Sequence, residues 1–320
     1  MTKPFVRADV QQLLDMMAQQ DGPKMEEVSP AEARNMMQAM GHIAERPRGE
    51  LHEVKDVPAP SGHGHEIPVR IYHAAKPAGP APALVFYHGG GWVIGDLITH
   101  DSLCAEMARQ LNMTVVAVDY RLAPEHKFPA AGEDCIAATR WVATSPKELG
   151  HDVTGVVLSG DSAGGNMAAI TAQELQGKLG VPILAQYLIY PGVDMGAAGG
   201  SMDEFSEGYL LTRAGMEWFG DHYLTTAEDR EDPRASPIKA DSLAGQPRAL
   251  VFTCGLDPLR DQGRAYAARL IESGVRTIYR EAAGQIHGCM NLRQAIPSAQ
   301  EDLSNCMADL KHLLNEALPE

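Results

Sequence analysis

Apolar residues recur at helical spacing in two stretches at the start of the chain. The apolar positions of the first stretch are Val6, Val10, Leu13, Leu14 and Met17, before a stop at 21–23. The second stretch opens with Ser29, Pro30 and Glu32, an N-cap, a first-turn proline and a capping-box glutamate. Its apolar positions are Met36, Met37, Met40 and Ile43. We predict two amphipathic helices whose apolar faces pack on later parts of the chain, as ordinary core or as part of a lid.

From about Leu51 the pattern changes. Ile67, Val69 and Ile71 alternate with polar residues, which predicts antiparallel edge strands. Continuous apolar runs follow at 83–87, 114–118, 155–158, 183–190 and 249–254, and a further strand is predicted at 275–280. They alternate with helical stretches at 101–111, 132–144, 163–179, 262–273 and 297–314. Strands that are apolar on both faces and alternate with helices predict an α/β fold with a parallel sheet.

Size and charge narrow the possibilities. The 320 residues, 44% hydrophobic and 22% charged, suit one large α/β domain with an appended element. The net charge of −15 argues against nucleic acid and membrane surfaces as partners. The cysteines are scattered and odd in number, which predicts free thiols in a reducing compartment; they are Cys104, Cys135, Cys254, Cys289 and Cys306. Because no signal-peptide-like or membrane-spanning stretch is found, we predict a cytoplasmic protein.

A Gly-x-Ser-x-Gly motif stands between an apolar strand and an Ala-rich helix, at Gly160, Ser162 and Gly164. This placement is typical of a nucleophile elbow, in which a tight turn presents the serine hydroxyl. The amide of Ala163 at the helix start then points toward a reacting carbonyl oxygen. An ordinary helix-capping serine is the alternative for Ser162.

A glycine loop at 88–92 follows the strand run 83–87. The amides of Gly89 and Gly90 can turn inward and, with Ala163, form an oxyanion hole, which predicts acyl-transfer chemistry. The alternative is an ordinary glycine-rich turn. Because the loop and the serine motif follow two strands in the chain order of such a site, we favour the catalytic interpretation.

A serine needs a base to take its proton, and in this type of fold the base comes late in the chain. His287 lies in a loop after the last strand, whereas His312 belongs to a terminal helix and is predicted to be exposed. Asp257 lies just past the predicted strand 249–254 and is predicted to orient the base, with Asp261 assigned to helix capping or a basic partner. No histidine or cysteine cluster has metal-ligand spacing, so we predict neither metal nor cofactor.

His88 precedes the glycine loop. We predict that it hydrogen-bonds backbone and holds the shape of that loop, rather than serving as the base.

Together these motifs resemble the bacterial hormone-sensitive-lipase-like esterases of the α/β-hydrolase superfamily. The resemblance covers residues from about 80 to 290 and rests on the motifs at 88–92, 119–126, 160–166, 190–191, 257–261 and 286–288. Asp161 before the serine indicates the subgroup with the Gly-Asp-Ser-Ala-Gly elbow. The resemblance implies an eight-stranded, mostly parallel sheet with a helical cap, and hydrolysis of short- to medium-chain acyl esters without a cofactor. It also implies homodimers through 275–280, and a structural loop at 119–126 whose arginine and glutamate tie neighbouring loops together.

The segment between the strands ending near 190 and starting near 249 is predicted to be an insertion. We divide the chain into N-terminal cap helices (1–48), the first part of the catalytic α/β-hydrolase core (49–194), a cap insertion (195–240) and the second part of the core (241–320). The predicted substrate-binding residues are Trp92, Asp161, Leu211, Trp218 and Phe219. For the aromatic residues of the insertion, simple packing is the alternative.

The sequence alone leaves three functions open. A serine carboxylesterase is favoured. An amide hydrolase or deacetylase with the same triad shares the chemistry until the leaving group is protonated. A non-catalytic small-molecule receptor on this fold, such as the plant gibberellin receptors, lacks the base, and the presence of His287 argues against it.

Overall fold

A computed structural model describes residues 4–19 and 22–316. Their strands form one eight-stranded sheet in the order β1-β2-β4-β3-β5-β6-β7-β8. The strands are β1 (Glu53–Pro60), β2 (Glu66–His73), β3 (Ala81–Tyr87), β4 (Thr114–Val118), β5 (Val153–Asp161), β6 (Ile183–Ile189), β7 (Ala249–Leu256) and β8 (Thr277–Ile286). The pairs β1–β2 and β2–β4 are antiparallel and the rest are parallel, so the predicted mostly parallel sheet is confirmed.

Helices cover both faces of the sheet. They are α1 (Ala8–Met17), α2 (Pro30–Ala44), α3 (Asp101–Leu111), α4 (Ala130–Ala143), α5 (Ala163–Leu175), α6 (Ser201–Glu204), α7 (Arg213–Tyr223), α8 (Arg260–Glu272) and α9 (Ser298–Asn315). One hydrophobic cluster joins the sheet to α4, α5 and α8, and a second joins it to α1, α3 and α9. Successive residues of β3 alternate between the two clusters, as expected for a strand buried on both faces. Of the helices that the structure describes, none is long and apolar enough to cross a bilayer.

The last strand differs from its prediction. β8 extends to Ile286, so His287 directly follows a strand instead of lying in a loop after residue 280. The extension pairs with β7 across a shift in register, up to Leu256 opposite Ile286. Polar residues and the small Ala282, Ala283 and Gly284 give the second half of this strand no apolar pattern, which is why its predicted end came too early.

The N-terminal helices are anchored by polar contacts as well as by apolar packing. Arg7, just before α1, forms an ion pair of 2.6 Å with Asp302 of α9. Asp21, part of the predicted stop after α1, lies outside the described residues.

The methionine-rich face predicted for α2 is partly wrong. Met40 and Ile43 are 39% and 75% exposed, because the helix turns its small residues Ala33 and Ala44 toward the core instead.

Candidate active site

The serine stands at a strained turn between β5 and α5. Ser162 has φ 54° and ψ −117°, a conformation that side chains rarely adopt and that marks a functional constraint. Glycine is required on both sides. A methyl group added at Gly160 would lie 2.3 Å from the Gly164 carbonyl oxygen, and one at Gly164 would lie 1.9 Å from the Tyr87 carbonyl oxygen. The close approach of strand and helix therefore places the serine at the carboxyl edge of the sheet.

The three predicted catalytic side chains converge there. His287 Nε2 lies 2.8 Å from Ser162 Oγ, and His287 Nδ1 lies 2.7 Å from Asp257 Oδ2. Asp257 is fully buried, and its other oxygen accepts the Leu259 amide at 2.8 Å. Because a carboxylate can only accept, Nδ1 carries the proton of the neutral imidazole and Nε2 is left to accept from the serine. This arrangement can activate a hydroxyl for attack on a carbonyl.

The residues considered as alternatives to His287 and Asp257 have other surroundings. The side chain of His312 is 68% exposed, and Asp261 pairs with Arg260 and Arg264 at 2.9 and 3.1 Å. These placements agree with the roles predicted for both.

His88 lies 2.8 Å from the Gly89 carbonyl oxygen through Nδ1 and stacks on Tyr120, so its predicted structural role in the glycine loop is confirmed. Burial, together with the nearby His100, lowers the pKa of His88 to about 4, which keeps the ring neutral.

The glycine loop corrects one oxyanion assignment. Gly89 donates its amide to Asp161 Oδ1 at 2.8 Å, so it is turned away from the reacting centre and the prediction for Gly89 is wrong. Among the described residues, the amides of Gly90, Gly91 and Ala163 have no hydrogen-bond partner. The Gly91 amide is therefore available to a ligand, as the Gly89 amide is not. Sequence spacing could not show this, because a loop of consecutive glycines does not reveal which peptide units turn inward.

Asp161 was predicted to bind substrate, and the structure places it beneath the site instead. The residue is 3% exposed, and its second oxygen, Oδ2, lies 3.1 Å from Asn291 Nδ2 and 3.4 Å from the Tyr190 hydroxyl. Burial opposes ionisation, but His100 and the Gly89 amide outweigh it and lower the pKa of Asp161. A buried carboxylate with these donors holds neighbouring loops together and does not face a ligand.

Tyr190 contacts His287 but was not among the predicted site residues. In the sequence analysis it appears only as part of the motif at 190–191. Its ring packs against the His287 imidazole with centroids 4.7 Å apart. This contact limits the movement of the His287 ring. The positive φ of Tyr190, 34° at the end of β6, is the kind of strain that only a structure reveals.

The pocket-lining predictions divide into two groups. Trp92 is buried and stacks on Tyr223 with centroids 4.4 Å apart, so it packs in the core, and its predicted substrate contact is not supported. Phe219 lies directly on the glycine loop, since a methyl group added at Gly91 would lie 2.3 Å from its ring. Leu211 and Trp218 are half-buried in the same segment. Their contact with substrate stays a prediction.

Leu210 lies against the turn that follows His287, and it was not among the predicted site residues. Its Cδ2 would lie 3.6 Å from a methyl group added at Gly288, the residue after the base. With Phe219 on the glycine loop, residues of the segment between β6 and β7 thus lie against both loops that flank Ser162. A positive φ of 72° at Leu210, a conformation unusual for leucine, accompanies this placement.

The loop at 119–126 ties neighbouring elements, as the resemblance implies, but through separate partners. Arg121 pairs with Asp134 of α4 at 2.8 Å. Glu125 pairs with Arg34 of α2 at 2.7 Å, and Arg34 also donates to the Val93 carbonyl oxygen beside the glycine loop. Through Arg34, α2 therefore contacts both the loop at 119–126 and the chain just after the glycine loop.

Known proteins share this architecture. Residues 84–291 match the family model described as the α/β-hydrolase fold. The chain is 43% identical over 244 residues to the carboxylic ester hydrolase LipN of Mycobacterium tuberculosis, a match that spans 74% of this chain and 64% of that protein. It is 37% identical to an ethyl acetate hydrolase of Pseudomonas putida, over 85% of this chain and 86% of that protein.

Solved structures agree over nearly the whole length. An ester hydrolase from the metagenome of Lake Arreo, in complex with a bipyridine phosphonate derivative, has a TM-score of 0.92 at 37% identity and covers 98% of this chain and 100% of its own. A Pyrobaculum calidifontis esterase has a TM-score of 0.87 at 38% identity, covering 96% and 99%. Fold and comparisons define an α/β hydrolase. The chain belongs to the hormone-sensitive-lipase-like esterase family of that superfamily.

Proposed function

We propose that this protein hydrolyses carboxylic esters of short- to medium-chain acids through an acyl-enzyme on Ser162. The observation that carries the proposal is the continuous chain of contacts from Ser162 through His287 to Asp257, 2.8 and 2.7 Å long. The family and its members named as carboxylic ester hydrolase and ethyl acetate hydrolase support the ester as substrate. Phe219 and Leu210, which border the site on two sides, support a limited acyl length.

In the acylation step, Ser162 Oγ attacks the ester carbonyl while His287 Nε2 takes its proton. The electron pair of the carbonyl moves to its oxygen, which receives hydrogen bonds from the amides of Gly90, Gly91 and Ala163. Each such donor is worth about 10²–10³ in the rate of the chemical step. Asp257 stabilises the imidazolium that forms. Collapse of the tetrahedral intermediate expels the alcohol, which takes the proton from His287, and leaves the acyl group on the serine.

In the deacylation step, His287 takes a proton from water, and the resulting hydroxide attacks the acyl carbonyl. The same amides receive the negative charge. The serine leaves with the proton from His287, the carboxylic acid departs, and the resting site is restored. Every proton is carried by the chain's own residues.

The direct test is labelling with a fluorophosphonate, followed by a substrate panel. We expect labelling at Ser162 alone, and turnover of p-nitrophenyl esters that falls from butanoyl to dodecanoyl chains. Amides of the same acids test the amide-hydrolase alternative, and faster turnover of amides than of matched esters would replace the proposal with it. A protein that is folded yet is not labelled would favour the receptor alternative.

The division at 1–48, 49–194, 195–240 and 241–320 belongs to this proposal, with 195–240 as the cap insertion. Contacts of Phe219 and Leu210 with the two loops of the site support it. If the segment is a cap, deletion of residues 201–223 should change acyl-chain preference more than it changes labelling at Ser162.

We also infer a cytoplasmic homodimer. The five cysteines are buried and free, which suits a reducing compartment, and β8 is an edge strand of the sheet with Tyr279 37% exposed. The folded protein should leave all five thiols unmodified by a maleimide, and light scattering should give twice the mass of the chain. A thiol that reacts rapidly in the folded state, or a monomer at micromolar concentration, would contradict these inferences.

A further inference from the structure

A buried histidine outside the triad contacts the same carboxylate as the glycine loop. His100 is 1% exposed and lies before α3. Its Nε2 is 3.1 Å from Asp161 Oδ1 and 3.2 Å from the Gly89 amide nitrogen. On its other side, Nδ1 lies 2.9 Å from the Thr99 hydroxyl. Neither the triad nor the predicted oxyanion amides account for this cluster.

The Gly89 amide is shared between two acceptors. It donates to Asp161 Oδ1 at 2.8 Å and to His100 Nε2 at 3.2 Å. The imidazole nitrogen is therefore a second acceptor of this amide, beside the carboxylate oxygen 3.1 Å away.

We propose that His100 is a positioning residue for the oxyanion hole. Its Nε2 and Asp161 Oδ1 together hold the Gly89 amide. Gly89 immediately precedes Gly90 and Gly91, whose amides donate to no other described residue, so a shift of the Gly89 peptide unit would move theirs. The inference rests on the proposed function and assigns to it a residue that never touches the substrate.

The two oxygens of Asp161 have separate supports, which is why His100 has a distinct effect. Asn291 and Tyr190 contact Oδ2, at 3.1 and 3.4 Å, and connect the carboxylate to the loop after the base and to the end of β6. His100 Nε2 lies beside Oδ1, at 3.1 Å, and accepts from the same Gly89 amide. Without His100, the Gly89 amide loses one of its two acceptors, and Oδ1 loses the side chain packed against it.

Thr99 in turn is held by the turn that follows the glycine loop. Its hydroxyl accepts the Asp96 amide at 2.9 Å, and its own amide donates to the Asp96 carboxylate at 2.8 Å. His100 is thus oriented from one side by this turn and accepts the Gly89 amide on the other. A preorganised donor array of this kind stabilises charge that develops only in the transition state.

The test compares His100→Leu, which removes both contacts, with His100→Gln, whose side-chain carbonyl oxygen can accept in place of Nε2. We expect His100→Leu to lower kcat by about 10²-fold with KM nearly unchanged, because the oxyanion hole acts on the transition state. His100→Gln should recover most of the loss. Affinity for an aryl trifluoromethyl ketone, which forms an oxyanion adduct with the serine, should fall in parallel with kcat.

His73→Leu is the matched control. His73 is 2% exposed and contacts a threonine hydroxyl, that of Thr114, through Nδ1 at 3.1 Å, but it lies at the opposite edge of the sheet. We expect a comparable loss of stability in denaturant unfolding with unchanged kcat. Active-site titration with a fluorophosphonate corrects each rate for the folded fraction.

Three results would overturn the proposal for His100: a kcat of the titrated His100→Leu sites equal to wild type, a lowered kcat with unchanged affinity for the ketone, or equal losses in the Leu and Gln variants. Failure of the proposed function is distinguishable from these. In that event the wild-type protein itself would neither be labelled nor hydrolyse esters.

Discussion

Replacement of Ser162 by alanine is expected to lower kcat on p-nitrophenyl butanoate by about 10⁴–10⁶-fold, and His287→Ala should cost a similar factor. The first change removes the nucleophile. The second removes the group that lies 2.8 Å from its oxygen and receives its proton. Because the two residues act as one unit, the double variant should be no slower than either single variant. Steady-state kinetics on protein of verified folded fraction measures all three.

Two controls separate chemistry from folding. His312→Ala removes an exposed histidine and should keep the wild-type kcat. Asp261→Asn tests the rejected acid, and it should retain far more activity than Asp257→Asn, because Asp261 contacts arginines and not the base. If both Ser162→Ala and His287→Ala kept even a tenth of the activity, another nucleophile and base would be at work.

The convergence of Ser162, Asp257 and His287 could be predicted from the sequence because each of them follows a strand of the parallel part of the sheet. The carboxyl ends of such strands meet at one edge, so the chain order Ser162, Asp257 and His287 already places them near each other. Local signals also excluded the rivals. His312 lies on the polar side of a terminal helix, and Asp261 lies next to arginines in the sequence.

The orientation of the glycine loop could not be predicted in the same way. The Gly89 amide is turned by a carboxylate 72 residues further along the chain, and the same carboxylate takes Asp161 out of the list of substrate-binding residues. Trp92 was misassigned for a related reason. An aromatic residue after a glycine loop can face a pocket or the core, and only the stacking partner Tyr223 decides between them. Such choices depend on contacts between distant segments, on which hydrophobic periodicity has no bearing.

Tight packing around the elbow predicts a large effect from a single methyl group. Gly164→Ala should destabilise the fold by about 3 kcal/mol or more, because the new Cβ would stand 1.9 Å from the Tyr87 carbonyl oxygen and 2.7 Å from that of His88. Neither oxygen can retreat easily. Tyr87 ends β3, which is paired on both sides with β4 and β5, and the His88 carbonyl accepts the Tyr120 hydroxyl at 2.6 Å. Equilibrium unfolding in urea measures the loss.

Gly132→Ala is the matched control for this substitution. Gly132 also lies near the start of a helix, α4, but a methyl group there would meet nothing within 4 Å. Alanine at that position should stabilise the fold by about 0.5–1 kcal/mol through its higher helix propensity. Any Gly164→Ala protein that does fold should lose activity, since relief of the clash must separate α5 from the glycine loop and so move Ser162 away from the amides of Gly90 and Gly91. Wild-type stability and activity in Gly164→Ala would mean that the helix and β3 are not in the close contact that positions the nucleophile.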